Sequence, residues 1–397
     1  MPDRDVERGI EPVPAKAQPF TIEIPFDVLD DLHDRLVGTR ITARTPGDRW
    51  AAGTDVDYLR ELTAYWAERF DWREQERRLN PIPQFRAVIA GQGVHFVHVR
   101  GQAGEGLSAP LPLVLTHGWP SSFAEFGALV PLLTDPGAHG ADPNDAFDVV
   151  VPSLPGHLFS DLPADGPVTR PMIADLWARL MVEVLGYPRF GAYGGDIGAD
   201  VTNWLGIRHA DRVVGIHLIH PKLPTLGAEG PALSAAEQAY LRQREVDDEF
   251  DGGYSSIMAT RPDTIAAALN DSPAGLAAWI VDKWRAWSDC HGDLESRFTR
   301  DDLLTPITLY WVTGTIGSSF RTDYDYLANP PRPMITVPTG VTLTTEDLGY
   351  PRELADRSYS DIRHSREPTV GGHFFPQEEP GLLAAELREF FRPLRSG

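Results

Sequence analysis

The turn Gly194-Gly195-Asp196-Ile197-Gly198 constrains this chain more than any other segment. It lies between a β-like run, FGAYGG, and a helix-like run, ADVTNWLGIRHA, with the small-x-acid-x-small spacing of a nucleophile elbow. Small flanking residues let a strand turn abruptly into a helix while the central side chain stands above the sheet. Such a turn needs a sheet whose strands alternate with helices, and the alternation is there. LPLVLTHGWP and AFDVVVPSLPGHLFS read as strands separated by the amphipathic SSFAEFGALVPLL; MIADLWARLMVEVLG reads as a helix and VVGIHLIH as a further strand. This pattern predicts an α/β fold with a mostly parallel, doubly wound sheet.

The rest of the chain departs from that alternation in two places. Before it, Val28, Leu29, Leu32 and Leu36, then Leu59, Leu62, Trp66 and Phe70, recur at helical spacing, and Phe85 to Val99 reads as a hairpin around Gly91-Gln92-Gly93. His95 and His98 fall three apart on that second strand, on opposite faces, which favours packing over metal binding. After Pro221 the pattern turns helical until about residue 329, and the strand-like PMITVPTGVTL, with its strand from Met334, and SYSDIRHS then resume the α/β pattern before the closing helix EPGLLAAELREFF. The expected organisation is a mobile tail over 1–18, an N-terminal arm over 19–105, a first core half over 106–220, a helical cap over 221–329 and a second core half over 330–397.

An aspartate at the elbow selects a reaction. A serine that attacked a saturated carbon would leave an ether, whereas a carboxylate leaves an ester that water can cleave. With an ordinary pKa of about 3.9 it is also ionised at neutral pH without help, which frees a histidine to activate that water. His373, in GGHFF just before the last helix, is the candidate base; Glu346 and Asp347, after the resumed strand, are the candidate acids that would orient it. Nucleophile, acid, histidine is the chain order of the α/β-hydrolase fold, which also takes oxyanion-binding amides from the turn after its first core strand and from the residue after the nucleophile. Here these are Trp119, in His117-Gly118-Trp119-Pro120, and Ile197. The plain alternatives are an ordinary Gly- and Asp-rich turn at the elbow, a structural histidine at His373, a solvated acidic pair at Glu346 and Asp347, and a tight turn with a packing Trp at HGWP. Suitable substrates carry an electrophilic sp³ carbon, as in epoxides and alkyl halides.

These residues resemble the microsomal-type epoxide hydrolases from about residue 19 onward. The likeness runs through PFTIEIP, YLRELTAYWAERFDWREQERRLNPIPQF and VHFVHVRG, the HGWP turn, YGGDIG, RPDTIAAALNDSPAGLAAWIVDKW, LYWVTGTIGSS and GGHFFPQEEP. It implies Asp196 as nucleophile, His373 as base and, counting seven residues from Gly340, Asp347 rather than Glu346 as the acid. It also implies two cap tyrosines that protonate the epoxide oxygen. Tyr254, in Gly252-Gly253-Tyr254, matches one; the place of the other holds Asp323, with Tyr324 one residue later, so either Tyr324 serves after a shift or ring opening is altered. No cofactor or metal is implied. An epoxide and water are the implied partners, with a homodimer as the assembly to examine.

Composition narrows the alternatives. A net charge of −21 repels phosphate backbones and anionic headgroups, which removes nucleic acid and membrane surfaces as leading partners. The lone cysteine, Cys290, permits no intramolecular disulfide or thiolate zinc cage. The polar first 18 residues lack a signal-peptide core, and no apolar run reaches membrane-spanning length, so a cytoplasmic enzyme is expected. The chemical rival is a haloalkane dehalogenase, weakened because Ile197 stands where such enzymes place a halide-binding indole. A rival of another class is a binding or accessory protein on the same scaffold, which would bind epoxide and form no diol. The Ala-, Arg- and Asp-rich composition looks like a high-GC bacterium. Similar actinobacterial proteins act in antibiotic pathways such as enediyne biosynthesis, which raises a bulky natural-product epoxide as the substrate.

Overall fold

A computed structural model describes residues 16–102, 104, 106–226 and 231–395. The tail expected over 1–18 falls outside these residues as far as position 15, and Gln18 already belongs to a strand. Nine strands form one sheet: β1 (Gln18–Phe20), β2 (Gln84–Ile89), β3 (Gln92–Val99), β4 (Leu111–Thr116), β5 (Phe147–Pro152), β6 (Phe190–Gly194), β7 (Val213–Ile219), β8 (Thr339–Thr342) and β9 (Ile362–Arg366). Their order is β1-β2-β3-β5-β4-β6-β7-β8-β9. The pairings from β5 through β9 are parallel, whereas β1, β2 and β3 join antiparallel at one edge.

The central strands read as unbroken apolar runs because both faces are covered: every residue of β5, β6 and β7 is buried. On one side the helices Arg170–Arg179 and Ile197–Arg208 pack together, and on the other Pro380–Phe391 packs against Leu129–Thr134. The strand expected from Met334 is shorter, confined to Thr339–Thr342. Pro338 has no N–H to give a ladder, and its carbonyl instead accepts from Ile216 N–H at 2.9 Å, which starts the pairing only beyond it.

Between β7 and β8 the chain leaves the sheet as a set of helices, chiefly Ala235–Asp251, Gly253–Thr260, Pro262–Leu269, Pro273–Trp287 and Arg300–Thr313. The segment before β2 folds back on this layer: the helices Phe26–Val37 and Val56–Glu68 both pack on Pro273–Trp287. The amino-terminal segment thereby braces the helix that carries Trp287 over the carboxyl ends of the strands. Crevices at those ends are where ligands bind in open α/β sheets.

Candidate active site

β6 enters the helix Ile197–Arg208 through Asp196, whose φ of 52° and ψ of −120° are sterically costly for a residue with a β-carbon. Such strain costs about 1–3 kcal/mol and persists only where the surroundings dictate it. Two close approaches do so here. A β-carbon at Gly198 would lie 2.0 Å from the Thr116 carbonyl oxygen, and one at Gly118 would lie 2.5 Å from Asp196 Cβ. The β4 turn and the elbow are therefore in backbone contact. Trp119 N–H, beyond the cis Trp119-Pro120 bond's near side, donates to Asp196 Oδ1 at 3.0 Å, and the Ile197 amide also donates to this carboxylate. Gly118→Ala is expected to displace Asp196 and lower kcat/KM by about 10²-fold, as a shift near 1 Å does elsewhere. Steady-state kinetics on a protein with wild-type circular dichroism checks this; unchanged kcat/KM would show that the elbow tolerates displacement.

Charge around Asp196 keeps it ionised. Burial disfavours its anion, but Lys222, whose Nζ lies 3.8 Å from Oδ2, together with His373 and the two amides, outweighs burial and holds the carboxyl well below its ordinary range. His373 Nδ1 donates to Glu346 Oε2 at 2.7 Å. Burial alone would favour a neutral ring, but the Glu346 and Asp196 carboxylates push it up to about 9. The loop is anchored from above, where His373 N–H donates to the Trp287 carbonyl at 2.8 Å.

The acid expected by counting from Gly340 is not the one on the histidine. Glu346 makes that contact, and burial of its anion is outweighed by His373 and His220, which bring it down to about 2. Asp347 turns back into its own helical turn as the last member of a capping box, accepting from Thr344 N–H at 3.1 Å and from Thr344 Oγ1 at 3.2 Å. Burial and the neighbouring Glu346 push Asp347 up to about 7, unlike the anion that an orienting acid must be. The structure thus places Glu346, not the preferred Asp347, on His373, because consecutive residues in a tight turn point different ways.

Tyr254, the second residue of the helix Gly253–Thr260, stacks on Trp119, ring centroids 5.7 Å apart, with Lys283 Nζ 4.8 Å above its ring. Burial, then Asp196, Asp323 and Asp251, push the phenol above its ordinary range, so it stays a neutral donor. Tyr324 is placed differently from the expectation. It is 50% exposed, its ring lies 5.8 Å from the Arg321 guanidinium, and it lines neither lobe of the cleft, because the short helix Arg321–Tyr324 turns it outward. Asp323 takes the inward place. It lines a lobe of about 370 Å³ together with Asp196 and Tyr254. A second lobe of about 550 Å³ shares Asp196 and Tyr254 and reaches His373 and Glu346.

Two residues here escaped sequence reasoning. His220 stacks on His373, centroids 4.5 Å apart and rings nearly parallel, with Nε2 3.3 Å from Glu346 Oε2. Burial, against the pull of Glu346, lowers its ring to about 3, so it stays neutral. Lys222 is the other. Both follow the carboxyl end of β7, in His220-Pro221-Lys222, a position whose ligand-facing geometry could have flagged them. His220, Glu346 and His373 offer ligand atoms within 4.8 Å of one another, yet Glu346 is already engaged as hydrogen-bond acceptor by His373, the arrangement of an acid–histidine pair. The whole array suits attack by a carboxylate followed by base-assisted hydrolysis.

Comparison with known proteins gives the site its context. A family model described as epoxide hydrolase N terminus matches residues 17–126, and one described as alpha/beta hydrolase fold matches residues 112–252. The chain is 42% identical over 385 residues to a Stigmatella aurantiaca protein assigned as an epoxide hydrolase, with 95% of this chain and 85% of that one covered. It is 35% identical over 401 residues to epoxide hydrolase 1 of Oryctolagus cuniculus, covering 94% and 88%. The solved structure of Aspergillus niger epoxide hydrolase matches with a TM-score of 0.82 at 30% identity, covering 95% of this chain and 96% of that one.

Proposed function

The chain belongs to the epoxide hydrolase family and is a hydrolase that converts epoxides to diols, and on that premise we propose that it does so through a covalent ester on Asp196. The carboxylate attacks an epoxide carbon while Tyr254 donates to the oxygen. His373, oriented by Glu346, then takes a proton from water, which attacks the ester carbonyl; the Trp119 and Ile197 amides hold the resulting oxyanion. The observation that carries this reading is the convergence on one cleft of an ionised Asp196, with two amides on its carboxylate, and a His373–Glu346 pair 2.7 Å long.

A single turnover in H₂¹⁸O tests it. Water that attacks the ester carbonyl leaves one ¹⁸O in the peptide containing Asp196, whereas direct attack of water on the epoxide labels only the diol. An unlabelled peptide after diol formation would sink the ester route. Halide displacement would use the same nucleophile, but Ile197 supplies no side-chain N–H to a leaving halide, so diol from epoxides is expected to exceed halide release from alkyl halides.

Substrate, assembly and location complete the reading. Two joined lobes of about 370 and 550 Å³, with Lys222 and Ser255 in both, suit a bulky oxygenated natural-product epoxide. A panel graded by size and assayed for diol tests that preference. A cytoplasmic location fits the single cysteine, and among the described residues no helix is long and apolar enough to cross a membrane; a homodimer is the assembly that light scattering would examine.

A further inference from the structure

We propose that Asp323 is a catalytic acid of this protein, which in its protonated form delivers a proton to the epoxide oxygen alongside Tyr254. The inference rests on the reading of Asp196 as nucleophile. Its geometric basis is that Asp196, Tyr254 and Asp323 line one lobe, and that the short helix bearing Asp323 packs directly on the helix bearing Tyr254. An epoxide whose carbon meets Asp196 and whose oxygen enters that lobe meets both Tyr254 and Asp323. Tyr324, the phenol next in sequence, faces away from it.

The surroundings of Asp323 suit a group that gives up a proton only when needed. The elbow contributes Asp196 and Asp200; the helix Arg170–Arg179 contributes Arg170; the segment after β7 contributes Lys222; Tyr254 and Tyr326 complete the lobe. Asp200 is neutralised by Arg332, at 2.5 Å. Burial is the largest influence on Asp323, with Asp196 acting in the same direction and Arg170, Lys222 and the Thr322 hydroxyl against it; the balance is a carboxyl raised to about 6. Arg170 is buried and its Nε has no hydrogen-bond partner among the described residues. Arg170 and Lys222 are thus the cations that stabilise the carboxylate once the proton has left.

The step balances. An Asp196 oxygen bonds to the epoxide carbon, the carbon–oxygen bond of the ring breaks, and the Asp323 proton goes to the leaving oxygen, so that no free alkoxide forms. Asp323 is left as a carboxylate. It regains a proton from the His373 imidazolium of the free protein; the neutral ring then takes a proton from water, the hydroxide adds to the ester carbonyl, and the expelled diol oxygen takes the proton of the new Asp196 carboxyl, so that Asp196 ends as an anion, His373 as an imidazolium, and the net change is one epoxide and one water to one diol. A carboxyl near 6 is a far stronger acid than a phenol, so it transfers its proton earlier in ring opening, but only while it is protonated. The sign follows: the contribution of Asp323 is full below about pH 6 and is lost as pH rises through that value, while Asp196 remains ionised throughout.

Single-turnover alkylation of the full chain, followed by intact mass after acid quench between pH 5 and 8.5, tests the proposal with styrene oxide as probe. The wild-type alkylation rate is expected to fall by about 10-fold across this range. Asp323→Asn is expected to remove that fall and give a flat profile, and Asp323→Ser should do the same should the amide disturb folding as judged by circular dichroism. A fall of unchanged size and midpoint in the folded variants overturns the role of Asp323 while leaving the nucleophile in place. Failure of wild-type protein to form any Asp196 adduct at any pH overturns both readings.

Discussion

His373→Gln is expected to stall on its own intermediate: mixed with an epoxide it gains the mass of that epoxide at Asp196 and releases diol about 10²–10⁴-fold more slowly than wild type. The two half-reactions separate because they need different things. Attack needs an ionised Asp196, which Lys222 and the amides of Trp119 and Ile197 favour, and a proton donor to the epoxide oxygen, but no base. Hydrolysis needs a base. Asp196→Ala, by contrast, removes the nucleophile, and should form neither adduct nor diol, a loss on the order of 10⁴-fold or more. Rapid diol formation by either variant would overturn the covalent route. The protonation of His373 sharpens the expectation. In the free protein the Glu346 and Asp196 anions hold the ring up to about 9, so it starts as an imidazolium, useless as a base. Alkylation erases the Asp196 charge, while Lys222 and burial continue to press the ring toward neutrality. The imidazole is therefore a better base once the ester exists, although Glu346, the larger of the two anionic influences, still holds its pKa up. Ester hydrolysis, which requires the neutral ring, is present above the pKa of the esterified state and lost as pH falls through it. Pre-formed ester, followed by stopped-flow pH jump, should give a midpoint below 9; one at or above 9 would show that Asp196 does not govern this histidine.

Much of this was legible in the sequence for a physical reason. A sharp strand-to-helix turn demands small residues at fixed offsets, so Gly194, Gly195 and Gly198 announced the elbow, and the β-carbon clash of 2.0 Å at Gly198 is the constraint behind that spacing. The apolar runs of β5 and β7 announced a sheet covered on both faces. What the sequence could not disclose was direction. Glu346 and Asp347 are adjacent acids, and only the turn, with Thr344 capping one of them, sends the other to His373. Asp323 and Tyr324 repeat the lesson: one residue of helical rotation puts the carboxyl in the cleft and the phenol in solvent. Lys222 carried no motif at all. Its place beside Asp196 arises from where the chain leaves β7, a long-range consequence of sheet order.

Glu346→Gln and Asp347→Asn should therefore have very unequal effects, although the residues are neighbours and both substitutions are isosteric. Glu346 is an anion that accepts the Nδ1–H of His373 and, on the proposed route, would stabilise the imidazolium formed as water is activated. An amide at this position loses that charge and can present its NH₂ to Nδ1, favouring the wrong tautomer. The expected loss in kcat is about 10²–10⁴-fold, and it should fall on ester hydrolysis, so that Asp196 adduct accumulates as it does in His373→Gln. With the largest anion near His373 gone, the ring pKa should also drop. Asp347 instead caps its own turn through Thr344, and its carboxyl, raised to about 7, is about half protonated near neutrality. Its amide preserves an oxygen that can accept the same two hydrogen bonds, so the loss of a cap, about 0.5–2 kcal/mol at most, bounds the effect on stability. Burst and steady-state kinetics of the two variants side by side decide the assignment: a burst without turnover in Asp347→Asn, and turnover near wild type in Glu346→Gln, would return the role of orienting acid to Asp347.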